Sequence, residues 1–310
     1  MATAGSSDMN PRDPLEATRQ VAIEVAREAG RILLEGWGTR PTVRHKGDED
    51  INLVTEYDKR SEALIVERLS KAFPQDAIIA EEGTTVKGEA GGALRQWYVD
   101  PLDGTTNFAH GVPHFCVSMG LEQRIIRSGA TDEDGKLVAG VIYDPMRDEL
   151  FCAEAGRGAF LNGKKLRVSP IPDLAESLVA TGFPSRKRHD NPNIHFYHEF
   201  TLRSHGVRRA GSAALDLAYV ASGRFQAFWE FNLNPWDTAA GILLLEEAGG
   251  KVTDFSGGPF RLDSREVLAS NGLIHDELVG LFTEMFAGRS PSPIPTPREY
   301  AARRLARAGG

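Results

Sequence analysis

Apolar and polar positions follow two different periods along this chain, and the switches between them mark its elements. From residue 15 to 37 the apolar positions Val21, Val25, Ile32 and Leu33 recur at helical spacing with alanines between them, which predicts an amphipathic helix. A second helical run carries Leu64, Ile65, Leu69 and Phe73; Thr55-Glu56-Tyr57-Asp58 precedes it and Pro74 stops it. Ala77-Ile78-Ile79-Ala80 reads as a short strand ending at Glu81-Glu82-Gly83, and the Gly-rich polar stretch 83–95 reads as a loop. Strands are predicted near 97–99, 115–121, 138–143 and 150–153, with turns at Asp132-Glu133-Asp134-Gly135 and Asn162-Gly163.

The second half repeats none of this order. A strand is predicted at 178–180 and a helix at 194–202. Val207-Arg208-Arg209 leads to Gly211-Ser212, and Ser212 is the expected N-cap of a helix over 213–221. A strand over 225–231, an apolar helix over 238–248 ended by Gly249-Gly250, and a last helix over 273–286 complete the pattern. Residues 1–13 are small and polar; residues 289–298 are rich in Pro and Ser, and four arginines lie from Arg298 onward. Both ends are expected to be flexible tails on a single domain over 14–288, divided into halves at about residue 170. Strands and helices mix without a regular βαβ rhythm, which predicts a layered α+β or mixed α/β fold rather than a doubly wound parallel sheet.

Composition narrows the function classes. The net charge of −7 offers no basic field, so no nucleic-acid partner is expected. Cys116 and Cys152 both lie in apolar runs and read as buried free thiols of a reducing compartment. Neither a signal-peptide pattern nor an apolar run of membrane-spanning length is present. The expectation is a cytoplasmic protein without membrane association.

The candidate chemistry lies in acids at the ends of elements. Asp100-Pro101-Leu102-Asp103-Gly104-Thr105-Thr106-Asn107-Phe108 follows the buried run Trp97-Tyr98-Val99. Carboxylates at a strand end suit Mg2+. Backbone N–H groups at a helix start suit a phosphate. Taken singly, each acid has a plain structural explanation: Asp58 completes a capping box with Thr55, Glu81 is a surface charge, Asp103 is a turn residue, and Asp237 caps the helix from Thr238. Taken together, carboxylates brought close would repel each other unless cations neutralise them.

These motifs, with Trp236-Asp237-Thr238-Ala239-Ala240-Gly241 and Glu247-Ala248-Gly249-Gly250, resemble those of the inositol monophosphatase family, within the lithium-sensitive, Mg2+-dependent phosphatases. Val54-Thr55-Glu56-Tyr57-Asp58 and Glu81-Glu82 match in order and spacing, and the resemblance runs from about residue 15 to 286. It implies a layered α-β-α-β-α sandwich of the inositol monophosphatase and fructose bisphosphatase type, with a metal-binding first half and a substrate-binding second half. It implies two or three Mg2+ ions, held by Glu81, Asp100, the Leu102 carbonyl, Asp103 and Asp237. Thr105 with Asp58 and Glu81 would carry catalysis, and the N–H groups of Gly104 and Thr105 would hold phosphate. Gly211, Ser212, Ala213 and Glu230, with Asp103 and Asp237, would contact the substrate; His110 and His114 would shape the loop. The expected activity is hydrolysis of myo-inositol monophosphate by metal-activated water, in a homodimer. Histidinol phosphate and fructose 1,6-bisphosphate are the alternative substrates, and a non-catalytic binding or regulatory protein is the third reading. Asn234-Pro235 departs from the family, standing where animal members carry His-Cys before Trp-Asp.

Overall fold

The computed structural model describes residues 14–39, 43–45, 53–88, 94–125, 134–183, 192–289 and 296–299. Helix α1 (Pro14–Gly36) buries Ala22, Val25, Ala26, Ala29 and Leu33, one stripe at helical period. The strands β1 (Val43–His45) and β2 (Leu53–Thr55) pair antiparallel before α2 (Glu56–Ala72). Thr55 caps α2: the Tyr57 N–H donates to its hydroxyl, and its own N–H donates to Asp58 at 2.8 Å.

An eight-stranded sheet follows, made of β3 (Ala77–Ala80), β4 (Thr85–Val86), β5 (Arg95–Asp103), then after the short α3 (Thr105–Ala109) β6 (Cys116–Ile125), β7 (Asp134–Asp144), β8 (Glu149–Glu154), β9 (Gly158–Leu161) and β10 (Lys164–Lys165). Its order is β10-β9-β8-β7-β6-β5-β3-β4, antiparallel except for the β3–β5 pair. Asn162 and Gly163, both at positive φ, form the tight turn between β9 and β10 that their sequence predicts.

The second half contributes β11 (Leu178–Thr181), α4 (Asn193–Arg203), β12 (Gly206–Arg208), α5 (Ala213–Ala221), β13 (Ala227–Phe231), α6 (Pro235–Glu247), β14 (Lys251–Thr253), β15 (Glu266–Ser270) and α7 (His275–Phe286). Its five strands run in the order β12-β11-β13-β15-β14. Successive residues of β13 face opposite cores: Phe228 packs with α5 and α6, while Ala227 and Trp229 pack with Phe196 and Phe200 of α4 and Phe282 of α7. Both faces of this sheet are therefore covered. The apolar clusters order the layers: α1 and α2 lie on the eight-stranded sheet, α5 and α6 sit between the sheets, and α4 and α7 cover the far side. This is the layered α-β-α-β-α architecture expected from the resemblance.

Helix α6 lies close against the larger sheet because glycine faces it. A Cβ on Gly120 of β6 would fall 2.5 Å from the Ala239 Cβ, and one on Gly140 of β7, the cross-strand neighbour of Gly120, would fall 3.0 Å from the Ala240 carbonyl oxygen. On the other side of the helix, Gly241 faces Leu217 of α5 at similarly close range. The small residues after Asp237 thus allow a close approach and set the height of α6 over the sheet.

Several expectations are corrected. The loop predicted over 83–95 contains β4, and β1, β2, β14 and β15 were not foreseen. The strand predicted from 225 begins at Ala227, and α7 begins at His275. The helix predicted from Thr238 begins at Pro235, with Asn234 as its N-cap; Asp237 accepts the Asn234 N–H at 2.7 Å from three residues inside. The tails predicted at 1–13 and 289–310, apart from Arg289 and residues 296–299, and positions 132 and 133 of the predicted turn lie outside the described residues. Among the described residues no helix is long and apolar enough to cross a membrane.

Candidate functional site

A bulge at the end of β5 builds the centre of the site. Asp100 pairs with Ser118 of β6 and Asp103 with Cys116, so three steps on β5 oppose two on β6. In a regular strand residues three apart point to opposite faces; the extra residue lets Asp100 and Asp103 share one face. Pro101 contributes no N–H there, and the Leu102 N–H donates to Asp100 Oδ1 at 3.0 Å, which fixes that carboxylate. Gly104 follows at φ 95°, and a Cβ on it would lie 2.9 Å from the His114 carbonyl oxygen, so the turn requires glycine.

Three other elements bring acids to this face. Glu81 follows β3, its N–H donating to Val99 O of β5 at 3.1 Å, and its carboxylate acts on that of Asp100. Asp58 comes from the first turn of α2 and Asp237 from the first turn of α6. Burial pushes Asp100 well above the usual carboxylate range, with the charges of Glu81, Asp103 and Asp237 adding to it. Burial likewise raises Asp237, helped by Glu81 and Asp103, and pushes Asp103 up to about 6 against hydrogen bonds from Ser212 and Ala214. The four acids thus feel one another. Among the described residues no three Asp, Glu, His or Cys side chains stand together as a group that could hold a metal ion. An all-oxygen, mutually repelling donor set at a strand end fits a hard divalent cation.

Beside the acids stands a hydroxyl relay. Thr105 Oγ1 lies 3.0 Å from Asp58 Oδ1 and 3.0 Å from Leu102 O. Asp58 Oδ2 accepts from the Thr55 hydroxyl at 2.5 Å and from the Thr55 N–H. Burial raises Asp58, while these hydrogen bonds oppose the shift. The capping role and the proximity to Thr105 belong to the same side chain, so the two readings of Asp58 in the sequence do not exclude each other.

The substrate-side residues are drawn in by Asp103. Its Oδ2 accepts from the Ser212 hydroxyl at 2.6 Å and from the Ala214 N–H at 2.8 Å, tying β5 to the start of α5. Ser212 also caps that helix, accepting from the Leu215 N–H. Gly211 at φ 90° and Ala213 flank it. Glu230 on β13 is buried, pushed up to about 8 first by desolvation and then by Asp237 and Asp103, with Arg209 opposing. A Cβ on Gly182 would overlap its carboxylate, so Gly182 makes room for it.

Some residues escaped the sequence reading. Buried Glu62 accepts from the Glu82 N–H at 2.8 Å and the Thr84 hydroxyl at 2.6 Å, and so holds the turn after Glu81. Ser61 donates to Pro101 O at 2.9 Å. The signal was present: Asp58, Ser61 and Glu62 fall on the same helical face as Ile65 and Leu69, polar side chains where the core should be. Asp216, one turn beyond Ser212 in an otherwise apolar helix, is buried, with Oδ1 lacking a hydrogen-bond partner. Burial raises it well above the usual range, followed by the charge of Glu230.

Comparison with known proteins adds three kinds of match. The family model described as the inositol monophosphatase family matches residues 14–285. Among curated proteins, the Nus factor SuhB of Pseudomonas aeruginosa is 43% identical over 254 residues, covering 81% of this chain and 90% of that protein. The inositol-1-monophosphatase of Mesorhizobium japonicum is 43% identical over 267 residues, covering 85% of this chain and 95% of that protein. Among solved structures, the extragenic suppressor protein suhB of Bartonella henselae superposes with a TM-score of 0.77 at 41% identity, covering 86% of this chain and 99% of that one.

Proposed function

This chain belongs to the inositol monophosphatase family, and on that premise we propose that it is a Mg2+-dependent phosphomonoesterase acting on myo-inositol monophosphate. The observation that carries the reading is the Thr105–Asp58 hydrogen bond beside the acids Glu81, Asp100, Asp103 and Asp237. A structural cap alone does not need that neighbourhood.

In this reading Glu81, Asp100, the Leu102 carbonyl, Asp103 and Asp237 hold two or three Mg2+ ions, which supply charge neutralisation for the phosphate and a lowered pKa for water. Thr105 has one hydroxyl proton for two acceptors, Asp58 and Leu102 O, and keeps lone pairs to accept from a water molecule. Asp58, anchored by Thr55, fixes the direction of that hydroxyl. The water oxygen bonds to phosphorus, the ester P–O bond breaks, and the alcohol leaves with a proton. The N–H groups of Gly104 and Thr105 receive phosphate oxygens. Gly211, Ser212 and Ala213 line the alcohol side, and Glu230 engages a ring hydroxyl. Positioning and charge neutralisation carry most of the rate in such transfers. The buried thiols Cys116 and Cys152 agree with a cytoplasmic setting, and family resemblance supports a homodimer.

Phosphate release from inositol 1-phosphate, histidinol phosphate and fructose 1,6-bisphosphate, with and without Mg2+, tests the reading. The expected result is Mg2+-dependent, Li+-inhibited release that prefers inositol 1-phosphate by more than about tenfold, roughly 1.4 kcal/mol of transition-state binding. Asp100→Asn and Asp237→Asn should abolish release while the protein stays folded. Full activity in EDTA would sink it. A second reading rests on the relatives named Nus factor SuhB: a binding role on the same fold. It gains if the folded wild-type protein releases phosphate from none of these esters.

A further inference from the structure

Asn107 lies in α3, the short helix that follows the candidate phosphate turn, yet nothing in the proposed reaction uses it. Its side chain reaches across to the other half of the molecule. The Nδ2 group lies 2.8 Å from His114 O, 2.8 Å from Ala210 O and 3.4 Å from Gly211 O. With two protons, it serves the loop closing its own turn and the loop entering α5 at once. The match is close: a Cβ on Gly211 would stand 3.1 Å from Nδ2, and Gly211 sits at φ 90°. Nearby, Asp103 holds the next residues through Ser212 and Ala214. Two latches therefore join residues 210–214 to the turn at 103–107, and only one of them uses a carboxylate that metal would claim.

We propose that Asn107 is a positioning residue that fixes the Ala210–Gly211 segment against the phosphate turn and thereby sets discrimination for the alcohol side of the ester. This rests on the reading of the site as a phosphate-ester hydrolase. Asn107 touches neither phosphate nor metal ligands in that scheme; it acts through the backbone carbonyls of the loop that lines the alcohol. An ester with a flat leaving group and no ring hydroxyls asks little of that loop, whereas a polyol phosphate depends on it. Loss of the latch should therefore separate the two substrates.

The test uses full-length Asn107→Leu and Asn107→Asp. Leucine is close in size and cannot donate; aspartate is close in shape and would place its oxygens against two carbonyls. Hydrogen exchange, read without substrate, is expected to speed up by about tenfold or more at the amides of residues 213–216, the scale of losing one or two hydrogen bonds. The amides of 97–100 should stay as in the wild type. The ratio of kcat/KM for inositol 1-phosphate over para-nitrophenyl phosphate is expected to fall by about tenfold, mainly through a higher KM for the polyol ester. Unchanged exchange at 213–216 overturns the proposal, whatever the activity. Faster exchange with an unchanged substrate ratio also overturns it, since the loop would then not read the alcohol. Faster exchange throughout both sheets overturns it too, because Asn107 would then support the fold at large. If the wild type cleaves neither ester, the phosphatase reading is what fails, and the latch is judged by exchange alone.

Discussion

Asp103 shows how one side chain takes two tasks. One oxygen is spent on Ser212 and Ala214, so the acid is anchored before any ion arrives. Its remaining charge meets those of Glu81 and its neighbours, and burial pushes it up to about 6. An acid raised in this way binds a proton on folding between its unfolded and folded pKa values. Its favourable contribution is complete below the unfolded value, near 4, and is lost as pH rises through about 6. Asp100 and Asp237, raised further, extend that loss to higher pH. A cation binding the ionised acids reverses it. Added Mg2+ is therefore expected to raise the melting temperature more at pH 8 than at pH 5; where its concentration is a hundred times Kd, the stabilisation is about 2.7 kcal/mol. Differential scanning fluorimetry at the two pH values reads this directly, and an equal or smaller shift at pH 8 counts against a cation at these acids.

Among elements, α6 is the one on which the site most depends, because its height over the sheet places Asp237. Gly120→Ala inserts a methyl where Ala239 already stands. It is expected to destabilise the fold by about 1–3 kcal/mol and to weaken Mg2+ binding without touching an acid. Denaturant midpoints and Mg2+ titration of the variant check both effects; a wild-type midpoint would show that the helix rides higher than described. The start of α6 also shows what the sequence could not convey. Asp237 before an apolar run looks like a cap, but Asn234 followed by Pro235 is the true start, and the two patterns differ only in where the first turn is counted. The long periodic helices α1 and α2 and the strands flanking the acidic motif were legible because their periods extend over many residues. Strands β1, β2 and β14, three residues each, are too short to show a period, and Val267-Leu268-Ala269 of β15 is an apolar run that fits helix or strand equally. The residues proposed as ligands were legible as a family pattern. Glu62 was not, since a polar residue in a helical stripe shows its purpose only once its partners across the fold are known.

At the scale of the whole molecule, the order of strands governs how copies can meet. The outermost strands of the larger sheet are β10 and β4, of two residues each, and those of the smaller sheet are β12 and β14, of three each. β10 consists of two exposed lysines, β12 ends at Arg208 and β14 begins at Lys251. Light scattering is expected to report the mass of a homodimer, and a monomer at working concentration would remove that proposal. Such a dimer would not form by joining sheets. Edges of two or three residues, three of the four carrying a lysine or arginine, offer a second chain few free backbone groups. Among the described residues fifteen strands are therefore packed without a long exposed edge on which a fibril could grow, and copies are left to pair through helix and loop surfaces.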